Sequence, residues 1–224
     1  PSPQRGPVIL PAGASARGAD CAGRDAEVVL VVGAGGSGGR ENVRRIRGQD
    51  AQYGRNPDAI KFITAVAVVT AETDEEALKK FEDYYTYYDP VGSIIHYSSM
   101  TGVDFAKTER ADVLHYQPTE ASQSVLSQFD PAVSGRQWTL EQAANPEKNF
   151  GRARTFIGSP STVADGLELW LEETETDGIN LIQLVNPESF EDFGRLVVPE
   201  LRQRGRIRPE GGATLREKLF PEQG

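Results

Sequence analysis

Residue types that build covalent cross-links and metal sites are scarce in this chain of 224 residues. It has one cysteine, Cys21, and two histidines, His96 and His115. A single cysteine excludes an internal disulfide and is typical of a reducing compartment, so we expect the protein in the cytoplasm. Neither histidine has a partner at metal-site spacing, so we expect no bound metal.

Long apolar runs and excess positive charge are also missing. No apolar run reaches the ~18 residues of a membrane-spanning helix, and no signal-peptide pattern opens the chain. The formal net charge of −9 argues against nucleic acid or an anionic membrane as the main partner. The chain begins at Pro1, and its only methionine is Met100. We therefore expect a fragment or a processed product.

Apolar segments alternate with helical patterns along most of the chain. The pattern predicts strands at residues 8–10, 27–32, 61–70 and 178–184, each followed by a helix. A further helix is predicted after Ser159, with Val163, Leu167, Trp170 and Leu171 at helical spacing on its core-facing side. Residues 89–154 interrupt this alternation, and we interpret them as an insertion within a single domain, 1–224. Such alternation predicts an α/β fold with a parallel sheet and right-handed crossovers. An open doubly wound sheet and a β/α barrel both satisfy it.

The first predicted strand ends in the turn Gly13-Ala14-Ser15, just before a helix. Gly13 permits a sharp turn and the close approach of another group. Ser15 can cap the helix, whose first amides point back at the turn. Free amides, a helix dipole and a hydroxyl together suit an anion, usually a phosphate. An ordinary strand-to-helix turn with a serine cap is the alternative interpretation.

A second glycine-rich segment, residues 33–38, matches the dinucleotide-binding pattern G-x-G-x-x-G. Its abundance of glycine permits a chance match. The following helix opens with Arg40 and Arg44 rather than with small residues, and the expected acidic residue comes late, at Glu72 or Asp74. We interpret residues 33–39 as a flexible loop, with an NAD(P) site at residues 33–38 as the alternative.

Several segments, taken in order, resemble the bacterial-luciferase-like flavin monooxygenases. The group that they resemble includes the nitrilotriacetate and dibenzothiophene-sulfone monooxygenases. The segments are PAGASARG at 11–18, DAEVV at 25–29, YGRNPDAIK at 53–61, SMTGVD at 99–104, GSPSTVAD at 158–165, DGINL at 177–181, DFGRLVVPEL at 192–201 and TLREKL at 214–219. Together they span nearly the whole chain.

The resemblance implies a TIM-type (β/α)8 barrel, of which this chain holds about the last four strands, with a helical insertion before the final unit. It implies reduced FMN from a separate flavin reductase, O2, and transfer of one oxygen atom to a small organic substrate. Ser15 falls on the family's phosphate-contacting serine, with Gly13 and Ala14 beside it. The resemblance assigns no catalytic residue to this half. We also expect a homo-oligomer.

Two departures from the family shape the hypothesis. Pro11 stands where the family usually has glutamine, and nothing in the chain matches the first half of the family's barrel. The main hypothesis is therefore the C-terminal half of a two-component FMN-dependent monooxygenase. The alternatives are a truncated, non-catalytic homologue that acts through association and a small NAD(P)-binding α/β protein.

Overall fold

The computed structural model describes residues 2–12, 16–31, 36–115, 126, 131, 137–144, 153–207 and 211–221. Its chain divides into two units, one formed by Pro1–Glu82 with Asn149–Gly224 and the other by Asp83–Lys148. The interpretation of residues 1–224 as one domain with an insertion stays a prediction.

Helices and parallel strands alternate, as predicted. In chain order the described elements are α1 (Ala16–Asp25), β1 (Val28–Val31), α2 (Gly36–Gln52), a 3-10 turn (Pro57–Ala59), β2 (Lys61–Thr70), α3 (Asp74–Thr86), α4 (Pro90–Thr101), a second 3-10 turn (Phe105–Lys107), α5 (Leu140–Ala144), β3 (Arg154–Gly158), α6 (Pro160–Thr174), β4 (Gly178–Ile182), α7 (Glu188–Asp192), a π-helical turn (Phe193–Val197), α8 (Val198–Gln203) and α9 (Leu215–Leu219).

β2 is the central strand of the described sheet, and all its pairings are parallel. It pairs with β1 through residues 61–64, with β3 through 66–70 and with β4 through 63–67. The stretch of β2 that pairs with β4 overlaps both the stretch that pairs with β1 and the stretch that pairs with β3. Since a strand has only two edges, β4 lies on one edge of β2, and β1 and β3 lie on the other. The strand reads as a nearly continuous apolar run because both of its faces are covered.

Residues 8–10, predicted as a buried strand, form no regular strand. Ile9 and Leu10 are 43% and 49% exposed. Pro7 and Pro11 flank them, and neither can donate a backbone hydrogen bond. A regular ladder of backbone hydrogen bonds therefore cannot extend along this segment. Within sheets, proline is typically found at such edges.

The same segment still runs beside β1. The carbonyl of Ile9 accepts hydrogen bonds from the amides of Glu27 and Val28, and the carbonyl of Pro11 accepts one from Leu30. These irregular bonds place the segment next to β1 in the parallel direction. They tie it to the sheet on one side.

Two further differences from the sequence prediction concern β3 and α2. β3 was missed, because it has only five residues and follows directly on the irregular stretch. The glycine-rich loop prediction is wrong for residues 36–39, which form the first turn of α2. Gly39 is buried there, and a Cβ atom at this position would lie 3.4 Å from Thr174 Cγ2. α2 and α6 thus lie close together at Gly39.

Two apolar clusters hold the helices of the first unit on the sheet. One joins α1 and α2 to β1 and the start of β2, through Ala19, Ala22, Ala26, Val29, Val31, Val43, Ile46, Ile60 and Phe62. The other joins α6 and the closing helix to the rest of β2, through Val66, Val68, Val163, Leu167, Trp170 and Val197. The helical spacing of Val163, Leu167 and Trp170 predicted this buried stripe.

The closing helical segment, residues 188–203, contains a π-helical turn immediately before Val198 and Pro199. The amide of Val198 donates to the carbonyl of Phe193, five residues earlier. Pro199 has no amide hydrogen, and its ring needs space near the carbonyl four residues before it. Widening the preceding turn provides that space.

The second unit contains α4, α5 and a small core of its own. Asp89 caps the start of α4, where its side chain accepts a hydrogen bond from the Val91 amide, and Gly102, with a φ of 70°, caps the end. Its core consists of Phe105, Leu114, Leu126, Leu140 and Ala143. In neither unit does a described helix have the length and apolarity to cross a membrane.

The α6 stripe supplies a test of the core. Leu167 is 2% exposed, whereas Leu169 on the same helix is 57% exposed. Leu167→Ala should lower the free energy of unfolding by about 2–5 kcal/mol, because it removes packed methyl groups and leaves a cavity. Leu169→Ala should change it by less than about 0.5 kcal/mol. Urea denaturation of both variants checks this, and equal effects would contradict the packing described.

Candidate functional site

The predicted phosphate turn, Gly13-Ala14-Ser15, lies outside the described residues, so its role stays a prediction. Its two flanks are described. Ala12, before the turn, forms a parallel bridge with Leu30 of β1, and α1 begins directly after it at Ala16. The turn therefore links a segment paired with β1 to the amino end of a helix. Anions bind at such amino ends in α/β proteins.

A second helix amino end at the carboxyl edge of the sheet is already filled by the chain itself. β2 and β3 end side by side, and Asp74 Oδ1, at the start of α3, accepts a hydrogen bond of 2.7 Å from the Ser159 amide. Ser159 caps α6. The amide hydrogen bond, with help from the Ser159 and Thr162 hydroxyls, lowers the pKa of Asp74. A charged carboxylate thus occupies the place an external anion would take.

Glycine is required where β3 meets this carboxylate. Gly158 has a φ of 156°, and a Cβ atom there would lie 2.7 Å from Thr162 Cγ2 and 2.8 Å from Asp74 Oδ1. Its strand partner Thr70 is 3% exposed, and its hydroxyl has no hydrogen-bond partner among the described residues. Sequence reasoning missed this buried hydroxyl, since a threonine at the end of a strand carries no distinguishing pattern.

A network of charges joins α3, and Glu72 just before it, to the closing helix. Lys80 contacts Glu188 at 2.8 Å and also Asp192, while Arg195 contacts Asp192 at 3.0 Å and Glu72 at 2.9 Å. Burial raises the pKa of Asp192, but hydrogen bonds from Lys80 and Arg195 outweigh it and lower that pKa overall. Asp192 is therefore held as a carboxylate between two cations.

These contacts bear on the dinucleotide interpretation. Glu72 and Asp74 were the acidic residues that could have bound a ribose. Glu72 is instead paired with Arg195, and Asp74 with the Ser159 amide. Arg44, in the middle of α2, forms a two-point ion pair with Glu175 at 2.6 and 3.2 Å. The polar groups near the glycine-rich segment therefore hold structure together.

Several motif residues of the family resemblance lie at the opposite, amino edge of the sheet. Lys61 Nζ lies 3.3 Å from Asp177 Oδ1, and Asp177 Oδ2 accepts a hydrogen bond of 2.8 Å from the Phe62 amide. Arg55 donates to the carbonyls of Gly23 and Ala26 at 2.9 and 2.6 Å, closing the last turn of α1. These residues align the starts of strands, a stabilising role typical of this edge in β/α folds.

Glu27 and Arg216 form a two-point contact at that edge. Arg216 donates two hydrogen bonds to the Glu27 carboxylate, at 2.5 and 3.0 Å. The hydrogen bond from Arg216 is the main reason why the pKa of Glu27 is lowered. Two motifs that lie 189 residues apart in sequence thus meet as a two-point ion pair.

The histidines and the cysteine lie at exposed positions. His96 and His115 are both exposed, and Cys21 is an exposed free cysteine. Within the ranges that the structure describes, no group of three or more His, Cys, Asp or Glu side chains is placed to hold a metal ion.

Comparisons with known proteins agree with the motif resemblance. Residues 1–177 match the family model described as luciferase-like monooxygenase. The chain is 36% identical to the dimethyl-sulfide monooxygenase of Hyphomicrobium sulfonivorans over 98% of this chain and 46% of that protein. It is 33% identical to nitrilotriacetate monooxygenase component A of Aminobacter aminovorans, over 97% of this chain and 49% of that protein. Dibenzothiophene-sulfone monooxygenase is also similar, so the predicted resemblance is confirmed.

A solved structure shares the fold. Riboflavin lyase, solved with modified FMN and its substrate riboflavin, superposes with a TM-score of 0.86 at 30% identity. The match covers 97% of this chain and 48% of that chain. The chain thus spans about half the length of the relatives that it matches.

The Glu27 contact predicts a specific response to acid. Because the pKa of Glu27 is lowered in the folded chain, the unfolded chain binds more protons as the pH falls from about 5. The contribution of Glu27 to stability should be complete above its unfolded pKa and lost as pH falls through its folded pKa. Urea denaturation between pH 7 and pH 3 should therefore show a shallower acid loss for Glu27→Gln than for wild type.

The matched control is Glu172→Gln, an exposed carboxylate on α6. It should keep the wild-type slope against pH. Parallel profiles for wild type and Glu27→Gln would show that this carboxylate does not contribute through its charge.

Proposed function

The chain belongs to the luciferase-like monooxygenase family, and we propose that it is the carboxyl-terminal half of a two-component, FMN-dependent monooxygenase. Reduced FMN from a separate flavin reductase would supply the oxygen-activating chemistry, with one atom of O2 going to a small organic substrate. The observation that carries this proposal is the family match over residues 1–177 in a chain half as long as its relatives. The role of the protein itself would be to bind the flavin, orient it and exclude water.

The proposed phosphate site is Gly13, Ala14 and Ser15. The turn precedes α1 and follows a segment paired with β1, so the helix dipole and the first amides of α1 favour a negative charge there. Asp74 supports the choice, because it already occupies the amino end of α6. Among these two helix starts, the turn at 13–15 is the one left for an external phosphate.

An open sheet edge supports the proposal that the chain is part of a barrel. In a parallel strand, successive residues present their backbone groups to opposite edges. The carbonyls of Ile9 and Pro11 face β1, so the backbone groups of Leu10 face away from it. They have no partner among the described residues, and the Ile9 and Leu10 side chains are half exposed. Such an edge is a template for another strand.

We propose that the other half of the relatives' length supplies that strand. Residues 8–12, β1, β2 and β4 would then be the last four strands of a TIM-type barrel, with residues 89–154 inserted before the final unit of a single domain. β4 pairs only with β2 in the described part of the sheet and would close the barrel on its other side. A cytoplasmic location and a homo-oligomeric state remain part of the proposal.

A truncated, non-catalytic homologue is the second candidate, favoured by the same open edge. It would associate through that edge without binding flavin. An NAD(P) site at residues 33–38 loses support, since Glu72 and Asp74 are both engaged in other contacts.

Flavin titration tests the proposal. The chain should be titrated with FMN and with NAD, alone and mixed with the part of the dimethyl-sulfide monooxygenase that it leaves unmatched. We expect FMN binding by the mixture, and about tenfold weaker binding or worse for Ser15→Ala, because a hydrogen bond to a charged phosphate is lost. Isothermal calorimetry gives both affinities.

Ser99→Ala, at an exposed serine of α4, is the matched control and should bind FMN like wild type. Binding of NAD instead of FMN would favour the nucleotide-binding alternative. Binding of neither ligand would favour the non-catalytic homologue, and an unchanged affinity in Ser15→Ala would remove Ser15 from the phosphate site.

A further inference from the structure

The carboxyl-terminal residues 211–220, which we name the strap, hold the irregular segment 4–12 in place. We propose that Arg216 of the strap is a positioning residue that fixes segment 4–12 and thereby the turn at residues 13–15. The inference rests on the proposed function for the role of that turn, but the tethering itself is independent of any flavin.

Arg216 contacts the backbone of segment 4–12 directly. Its guanidinium donates to the carbonyls of Gln4 and Pro7, each at 2.9 Å, and to that of Gly6 at 3.4 Å. The Arg216 amide donates to Gln4 Oε1 at 3.1 Å. A planar guanidinium can serve several acceptors in a fixed geometry, which the compact ammonium of lysine cannot.

Glu27 connects Arg216 and segment 4–12 to the sheet. Besides its two hydrogen bonds from Arg216, Glu27 Oε2 accepts a hydrogen bond of 3.1 Å from the Ile9 amide. Since Glu27 directly precedes β1, the carboxylate connects the strap, the segment and the sheet at one point. Movement of Arg216 would release contacts on both sides of Glu27.

The strap has a defined shape of its own. Thr214 and Glu217 form a capping box at the start of α9, and Glu217 Oε2 also accepts from the Ala213 amide at 2.6 Å. Gly212 has a φ of 76°, and a Cβ atom there would lie 2.7 Å from Glu217 Cβ. These contacts hold the backbone around Arg216 in one conformation, so they determine where its guanidinium lies.

The segment needs such a tether because its own backbone bonding is sparse. Prolines at positions 3, 7 and 11 remove amide donors, and its contacts with β1 are irregular. Because the prolines prevent a regular ladder of backbone hydrogen bonds, side-chain contacts hold the segment instead. Residues 8–12 lead without interruption into the turn at 13–15. The position of that turn would therefore depend on an arginine at the opposite edge of the sheet.

Arg204 provides a control for a loss of charge contacts that leaves the segment untouched. It contacts Glu200 at 2.7 Å and Asp165 at 2.5 Å, and it also reaches Ser161 Oγ at 3.1 Å, joining α8 to α6. Its replacement removes a comparable set of contacts from the same unit. Any effect confined to Arg216 variants therefore reports on the segment.

The experiment compares wild type, Arg216→Ala, Arg216→Lys and Arg204→Ala by amide hydrogen exchange in the chain alone, and by FMN affinity in the mixture with the unmatched part of the dimethyl-sulfide monooxygenase. We expect Arg216→Ala to speed exchange at Ile9 at least tenfold and to weaken FMN binding, while exchange in β2 stays as in wild type. Arg216→Lys should restore either property only in part. Arg204→Ala should leave the Ile9 amide and FMN affinity unchanged.

Unchanged exchange at Ile9 in Arg216→Ala, or an equal increase in Arg204→Ala, would overturn the proposal. If wild type binds no FMN, the proposed function fails while the exchange measurement still decides the tether. Faster exchange at Ile9 without weaker FMN binding would overturn the positioning role. Should Arg216→Ala fail to fold, full recovery of both properties in Arg216→Lys would refute the need for the guanidinium.

Discussion

The carboxylates at the amino edge of the sheet are the constraint on which the other features depend. Asp177 fixes the start of β4 to the start of β2, and Glu27 fixes segment 4–12 to the start of β1. Each carboxylate accepts both a backbone amide and a basic side chain, so each joins two stretches of chain that are distant in sequence. Charge-assisted hydrogen bonds of this kind are stronger than neutral ones and more specific in geometry. The register of the strands, and with it the arrangement of their carboxyl ends, follows from these ties.

This arrangement separates stability from function along the strands. Motif residues such as Arg55, Lys61 and Arg216 contact backbone or carboxylates at the amino edge. At the carboxyl edge the loops end in helix starts, of which α6 is filled by Asp74. In β/α folds the carboxyl edge is where ligands bind, whereas the amino edge contributes to stability. Much of the family resemblance thus reflects how the sheet is held, and only the turn at 13–15 reflects the proposed flavin site.

Parts of the structure with a strong periodic pattern were predictable from sequence, and parts decided by tertiary contacts were not. β2 followed from its apolar run, and α6 followed from the spacing of Val163, Leu167 and Trp170. The strand at 8–10 was wrong because flanking prolines remove the donors that a ladder needs. Residues 36–39 belong to α2, and Gly39 is buried there close to Thr174 of α6, a tertiary contact that no local pattern shows. At the site, the motifs marked the turn at 13–15, but the pairs Glu27–Arg216 and Asp74–Ser159 join residues too far apart to be matched by sequence.

The open edge at residue 10 tests most directly whether this chain is one half of a barrel. Amide hydrogen exchange at Leu10 should be measured in the chain alone and after mixing with the half of the dimethyl-sulfide monooxygenase that it leaves unmatched. If a parallel strand from that half pairs with the edge, the Leu10 amide should exchange rapidly in the chain alone and become protected in the mixture. Equal exchange at Leu10 in the two samples, with the two polypeptides shown to associate, would contradict the account.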